Sequence, residues 1–353
     1  MNLDDTQAFK ELDPQNMIAE IDGLPDQLAQ AWEFGKNFSL PSWEGISRVL
    51  IAGMGGSAIG ADLLAAYVAP RCPIPVVVHR DYNLPGWAKG EETLVICSSH
   101  SGNTEETLSA IDRAKENGCR ILAISTGGKL AAAAQEADAA LWIFEHKGQP
   151  RAAVGFSFGL LLSAFHHMGL IPDPAEELKG AIAAMKLQQT HLTIDIPTME
   201  NPAKRLAGQC YGRWVTVMGA DILAPVARRW KGQISELAKA LAQFEFLPES
   251  NHNTSAGVIN PEDAILKTMV LFLRAKSYHP RNELRANLTK EIFMLEGLGT
   301  DFYNAQGETA PAQLWTTLHF GDYFAYYLAM AYGVDPTPVE AIEGLKARMN
   351  DHS

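Results

Sequence analysis

Thr93-Leu-Val-Ile-Cys-Ser-Ser-His-Ser-Gly-Asn-Thr-Glu-Glu-Thr107 is the stretch that decides how the rest of the chain is parsed. Leu94, Val95, Ile96 and Cys97 form an apolar run short enough for a buried strand. The run breaks at Ser98, and Glu105, Glu106, Thr107, Leu108 and Ala110 then open a helix with acidic residues in its first turn. A strand that empties into a hydroxyl-rich loop and a helix N-terminus makes an anion cradle. Unpaired N–H groups and the positive end of the helix dipole face that loop. Serine and threonine hydroxyls donate to phosphate oxygens without adding charge. The plainer reading is a polar turn with Asn103-Thr104 as a helix cap. Three hydroxyls, on Ser99, Ser101 and Thr104, together with Gly102, favour the anion reading.

Working outward, the same alternation continues on both sides. Residues 49–52 predict a strand, followed by Gly53-Met-Gly-Gly-Ser-Ala-Ile-Gly60 as a loop and helix start. Residues 75–78, 120–124 and 141–144 predict further strands. Residues 105–117 predict a helix ended by Gly118, and Gly127-Gly128 opens an alanine-rich helix. Strands alternating with helices predict a parallel sheet covered on both faces. Its ligands lie beyond the strands' carboxyl ends, where both polar loops fall. Residues 155–189 read as helical, punctuated by Pro172-Asp-Pro174, and Ile196-Pro197 with Asn201-Pro202 mark a domain boundary. Beyond it come a strand at 214–218, a turn at Gly219-Ala-Asp221, a helix at 222–230 and a strand at 265–273. A helix at 287–295, a strand near 301–305, a long helix at 311–332 and a tail helix at 339–349 follow. Upstream, Asp13-Pro14 reads as an N-cap and first-turn pair in a helical arm. The expected plan is that arm at 1–40 and two doubly wound parallel-sheet α/β domains at 41–195 and 196–353, the second read as a diverged copy of the first.

Composition narrows the function classes. Apolar runs are broken by Gly, Pro or charge well before ~18 residues, so no membrane span is expected. The opening Met-Asn-Leu-Asp-Asp is acidic and lacks the form of a signal peptide. Cys72, Cys97, Cys119 and Cys210 have no paired spacing, which fits reduced thiols in the cytoplasm. A net charge of −12 argues against nucleic acid or an anionic membrane surface as a general partner. It leaves room for one phosphorylated small molecule in a local cradle. The ten histidines show no His-x-His or His-Glu-x-x-His arrangement, and the adjacent His166 and His167 face different ways on a helix. Neither a metal nor a cofactor is expected.

The glycine loop carries a competing reading. Gly53-Met-Gly55-Gly56-Ser57-Ala58 fits the G-x-G-x-x-G/A dinucleotide fingerprint after a strand, and Asp81 could supply its acidic residue. The second polar loop has no role in that fingerprint. If both loops serve one ligand, Ser57 joins Ser99, Ser101 and Thr104 around a single phosphate.

At these two loops the chain resembles the sugar isomerase (SIS) domain family. The second half resembles that family's bifunctional phosphoglucose/phosphomannose isomerase branch, with two such domains. The supporting stretches are Arg228-Arg-Trp-Lys-Gly-Gln-Ile-Ser-Glu236-Leu-Ala-Lys239, Leu247-Pro-Glu-Ser-Asn-His252-Asn253, and Gly333-Val-Asp-Pro-Thr-Pro-Val339 with Leu345-Lys346. The resemblance covers residues 40–350. It implies Glu236 as the base moving a proton between C1 and C2 of a sugar phosphate, His252 as ring opener and Lys346 near the same oxygens. It implies Arg151 beside the enediolate oxygens. Gly55, Gly56, Ser57, Ser99, Ser101 and Thr104 are implied around the phosphate. Together with the aromatic helix around Tyr323–Tyr332, the resemblance implies a homodimer in which His252 reaches a site near the neighbouring chain. The chain departs from the pattern at Ser235 and Leu237, where Asn is common, at Thr254, where Glu is common, and at His100, where Tyr is common. Aldose–ketose chemistry needs the same parts: a ring opener, one base between adjacent carbons and a cation near the oxyanion. Each residue taken alone also has a plain reading: Glu236 as a solvated helix residue, His252 as a turn residue, Lys346 as a surface charge, Arg151 as an ion-pair partner. A non-catalytic sugar-phosphate sensor, an aminosugar phosphate isomerase and a dinucleotide-dependent oxidoreductase stay open as alternatives at this point.

Overall fold

The computed structural model describes residues 2–351. In chain order they form α1 (Thr6–Leu12), α2 (Met17–Asp22), α3 (Leu24–Asn37), β1 (Arg48–Ala52), α4 (Gly55–Val68), β2 (Val76–His79), β3 (Thr93–Ser99) and α5 (Glu105–Glu116). Then come β4 (Arg120–Ser125), α6 (Gly128–Glu136), β5 (Ala140–Ile143), α7 (Val154–His167), α8 (Ala175–Gln189), α9 (Pro202–Cys210), β6 (Trp214–Gly219), α10 (Ala224–Leu237) and β7 (Ala242–Phe246). The chain continues through α11 (Glu262–Ile265), β8 (Thr268–Arg274), α12 (Pro280–Leu295), β9 (Gly299–Asn304), α13 (Ala310–Tyr332) and α14 (Glu340–Asn350). Gly23–Lys186 with Gln306–Thr316 form one compact unit, and the rest of the described chain forms a second.

The first unit is built on a parallel sheet of order β2-β1-β3-β4-β5. All seven residues of β3 are buried, as a central parallel strand covered on both faces must be. Leu50, Ala52, Val95, Cys97, Ile121 and Ala123 share one face by alternation and pack against α5 and α6. The connections from β1 to β2 and from β3 to β4 run in opposite directions along the sheet. They leave a crevice at the carboxyl ends of β1 and β3, where ligands of such sheets bind.

The second unit carries a parallel sheet of order β7-β6-β8-β9, which repeats by chain position the order β2-β1-β3-β4. Its helices α10 and α13 are clamped by a buried pair, Arg229 Nε and Nη2 donating to Asp322 Oδ1 and Oδ2 at 3.0 and 2.8 Å. Trp230 Nε1 donates to Thr317 O at 2.9 Å beside it. Phe9 of α1 packs on Tyr326 and Tyr327, and Tyr323 donates to Asp22. The aromatic face of α13 is thus covered within its own unit, and Tyr323, Tyr326 and Tyr327 are no argument for a dimer. At the carboxyl end of β6, Asp221 adopts φ +44° and accepts from His279 N at 2.8 Å and Asn282 Nδ2 at 2.9 Å, at the start of α12.

Several elements differ from the sequence expectation. The edge strand β7 was not expected: Ala-Gln-Phe-Glu-Phe is short, half polar and ringed by turn residues. The expected strand at 265–273 begins at Thr268, because Glu262 and Asp263 start the short helix α11. Helix α12 starts at Pro280, capped by His279 Nδ1 accepting from Arg281 N at 3.2 Å, and α9 starts at Pro202 under Asn201. Asp13 does not begin a helix with Pro14. It ends α1 and accepts from Met17 N and Ile18 N at 2.8 and 3.0 Å, capping α2 across a turn.

All four cysteines are free, and burial pushes the thiols of Cys97 and Cys210 up to about 12. Among the described residues no helix is long and apolar enough to cross a membrane.

Candidate active site

The glycine loop and the serine loop leave adjacent strands at the crevice of the first sheet. Helix α4 begins after Met54 and helix α5 after Thr104, and neither has a side-chain cap. Their first-turn N–H groups, including those of Gly55 and Gly56, are therefore donors of the kind that bind anions. His100 N donates to Ser57 Oγ at 3.3 Å, which joins the two loops directly. Ser99 Oγ and Thr104 Oγ1 are bonded at 2.9 Å, and Ser99 Oγ accepts from Gly102 N at 3.1 Å. Ser101 is exposed at the rim, its Oγ accepting from Asn103 N at 3.2 Å. The serine loop is held from behind by Thr126, whose N and Oγ1 donate to His100 O at 3.2 and 2.7 Å. Gly102 sits at φ +66°, and a Cβ there would lie 1.9 Å from Gly127 O, so no larger residue lets the two turns meet.

Arg151 belongs to the same unit. It lies in a 3₁₀ turn, Pro150–Ala152, and is 5 % exposed. A Cβ on Gly56 would stand 2.7 Å from Pro150 O, so glycine is what lets the Arg151 turn abut the first turn of α4. The buried Gln27 fixes this turn: its Nε2 donates to Ala152 O at 3.0 Å, and its Oε1 accepts from Gly155 N at 2.7 Å. His146, upstream of Arg151, meets the serine loop through a 2.9 Å bond between its Nδ1 and His100 Nε2. Gln27 and His146 were missed in the sequence. Nothing local marks either residue, although Gly127-Gly128 did mark the turn behind Gly102.

Asp81, the acid that the dinucleotide reading needs, is exposed beyond β2 and its Oδ1 accepts from Tyr82 N at 2.8 Å. The direct bond between the two loops favours the reading in which both serve one phosphate.

The remaining candidates lie in the second unit. Glu236 is the penultimate residue of α10, half-buried, and its carbonyl accepts from Lys239 Nζ at 2.7 Å. His252 ends the 3₁₀ turn Glu249–His252 beyond β7 and is exposed. Its neighbours build the turn: Asn251 Nδ2 donates to Thr289 Oγ1 at 2.7 Å, and Asn253 Nδ2 to Glu249 Oε1 at 3.0 Å. Glu236 precedes β7 and His252 follows it, so one chain holds them at opposite ends of a five-residue strand. At ~3.3 Å per residue, that strand spans about 13 Å. Among the described residues no hydrogen bond or ion pair joins the two side chains. Lys346 is exposed on α14. Among the described residues no cluster of three or more His, Cys, Asp or Glu side chains is placed to hold a metal ion.

Residues 45–168 match the SIS domain family, and residues 199–349 match the bacterial phospho-glucose isomerase C-terminal SIS domain. A bifunctional phosphoglucose/phosphomannose isomerase from Caldicellulosiruptor bescii is 37% identical over 94% of this chain and 98% of its own length. The chain belongs to the bifunctional phosphoglucose/phosphomannose isomerase family. Another member, from Aquifex aeolicus, is 32% identical over 88% of this chain and 95% of its own. Among solved structures, a hypothetical protein from Thermus thermophilus superposes with a TM-score of 0.73 over 98% of this chain and 94% of its own. At 16% identity that likeness speaks to the fold, two SIS domains in one chain, and not to substrate.

Proposed function

We propose that this chain interconverts fructose 6-phosphate with glucose 6-phosphate and mannose 6-phosphate, without metal, in the cytoplasm. The observation that carries the reading is the cradle: two uncapped helix starts and the hydroxyls of Ser57, Ser99 and Thr104 at one crevice, with Ser101 at its rim and the Arg151 turn pressed against it. The phosphate binds there. Glu236 takes a proton from C1 of the open-chain ketose, the C1–C2 enediolate forms with its charge on O2, and Arg151 stabilises that charge. A proton passes from O1 to O2, and return of the abstracted proton to C2 gives the aldose. Glucose and mannose phosphates differ only in the face of C2 that receives the proton. A turn of the enediolate about C2–C3 offers the other face to the same carboxylate. His252 and Lys346 move protons at the ring oxygen during opening.

The enzyme is proposed to act as a homodimer. Glu236 and His252 stand at opposite ends of β7, so a reaction that uses both takes the imidazole from a second copy. On α12, which anchors the His252 turn through Thr289, Leu284, Leu288, Ile292 and Leu295 form a stripe at helical spacing and are 42, 49, 46 and 80 % exposed. A second copy of this face would cover it.

The test is an NMR assay of the purified chain with fructose 6-phosphate in D₂O and no added cofactor. Glucose 6-phosphate and mannose 6-phosphate carrying deuterium at C2 are expected. Glu236→Gln keeps the size and loses the proton acceptor, so kcat is expected to fall by at least ~10²-fold with KM little changed. Product formation without deuterium under all conditions, or near-normal kcat in Glu236→Gln, would overturn the assignment.

A further inference from the structure

The second unit holds a cavity of about 570 Å³ at the amino ends of its strands, among the residues that enter β6, β7 and β8 and leave α13. None of the residues assigned above to catalysis or phosphate binding lines it. Its lining has two characters. Arg213, Lys239 and Lys267 line it, and no carboxylate does, in a chain whose net charge is −12. Among the described residues Arg213 and Lys267 form no ion pair or side-chain hydrogen bond, although acidic residues outnumber basic ones 41 to 29. Leaving two cations unpaired beside a third, on a surface rich in carboxylates, concentrates positive potential at one mouth.

The other character is flat and apolar. Trp214, 43 % exposed, and Leu241, 73 % exposed, stand beside Tyr332 and Val334. Tyr332 is locked in place: its ring packs on Tyr211 at 4.8 Å, and its hydroxyl accepts from Gly212 N at 2.8 Å, which leaves the hydroxyl proton free to donate. A cavity of this size matches a small-molecule site, where apolar walls bury a ligand body and a few polar groups fix its orientation. Three cations beside an aromatic and apolar lining fit a ligand with an anionic end and a planar ring.

We propose that this cavity binds a nucleoside phosphate, the ring against Trp214 and Tyr332 and the phosphates on Arg213, Lys239 and Lys267. The site has a path to the base. Lys239 Nζ bonds both Glu236 O, at 2.7 Å, and Pro336 O, at 3.3 Å, and so pins the last turn of α10. A phosphate competing for that ammonium loosens the pin on the turn that carries Glu236. Occupancy is therefore expected to lower kcat for the sugar phosphate more than it raises KM. This kinetic effect rests on Glu236 being the base, whereas the binding itself does not.

The test is calorimetric titration of the full chain with ADP, with pyrophosphate and with adenosine, each with and without saturating fructose 6-phosphate. Saturable 1:1 binding of ADP is expected, unchanged by fructose 6-phosphate and tighter than that of pyrophosphate or adenosine. Arg213→Glu and Lys267→Glu change exposed side chains and are expected to weaken ADP at least about tenfold each, the loss of one charge-assisted contact, with basal isomerase activity unchanged. No saturable binding, full displacement by fructose 6-phosphate, equal affinity for pyrophosphate, or indifference to both charge reversals would overturn the proposal. If ADP binds as expected and kcat does not move, the site stands and its coupling to Glu236 falls.

Discussion

Ser99 and Thr104 carry two hydroxyl protons and use one for the bond between them. The other is free to turn toward an anion, and Thr104→Val removes one of the two hydroxyls with little change of shape. Its KM for sugar phosphate is expected to rise roughly tenfold or more, on the scale of one hydrogen bond to a charged group, with kcat nearly kept. Ser99→Ala loses more, because Gly102 N also loses one of its two acceptors and keeps only Ser99 O at 3.2 Å, and a lowered Tm in Ser99→Ala but not Thr104→Val would show the difference. An unchanged KM in both variants would remove these hydroxyls from the phosphate site. The cradle was legible in the sequence because its hydroxyls and glycine lie within a few positions of one another, and a strand and a helix start bracket them. Gln27 was not legible: the carbonyl it holds is 125 positions away, and a lone glutamine on a helix carries no local sign of its target.

At the scale of elements, α10 and α13 are joined by Arg229 and Asp322, both under 5 % exposed at the side chain. Asp322→Asn takes the two-point counter-charge of Asp322 from a buried guanidinium and is expected to cost about 3–5 kcal/mol, measured by denaturant unfolding. A loss well under 1 kcal/mol would mean that water or another group takes over the role. One turn earlier on α13, His319 is fully buried and donates from Nε2 to Ile21 O at 2.8 Å. Burial pushes its imidazole from 6.5 down to about 4. Below pH 6.5 the unfolded chain gains a proton that the folded chain refuses, so stability is complete above that value and declines as pH falls toward 4. The gap caps the loss at about 3 kcal/mol. His319→Gln, which still offers an N–H to Ile21, is expected to flatten this slope, and an unaltered slope would assign it to other groups. The long, strongly apolar elements were readable because burial on both faces writes an unbroken apolar run, as in β3. The edge strand β7 was not, since its residues are only half-buried and alternate too briefly to register.

At the scale of the whole molecule, the placement of Glu236 and His252 predicts that the active unit is larger than one chain. Glu236→Gln and His252→Ala, each inactive alone, are expected to recover activity when mixed under conditions that exchange subunits, because one mixed site then holds both native residues. Leu288→Arg, on the exposed stripe of α12, is expected to give a monomer mass by light scattering at micromolar concentration and to lose activity with it. Full activity in a proven monomer would refute the arrangement. The two-sheet plan itself was legible from the recurring strand–helix alternation. The exposed apolar stripe of α12 was not, because its spacing alone does not say which helical face the fold leaves uncovered.

The repeat also bears on how many sugar phosphates a chain takes in the crevices of its two sheets. The second sheet has the same crevice as the first, but Asp221 reaches the start of α12 and is held there by His279 N and Asn282. In binding terms Asp221 is a tethered competitor, present at an effective concentration that millimolar phosphate does not match. Calorimetry with a sugar phosphate analogue that does not turn over should therefore saturate at one equivalent per chain. Asp221→Ser should expose a second, weaker site, read as a second equivalent in the same titration.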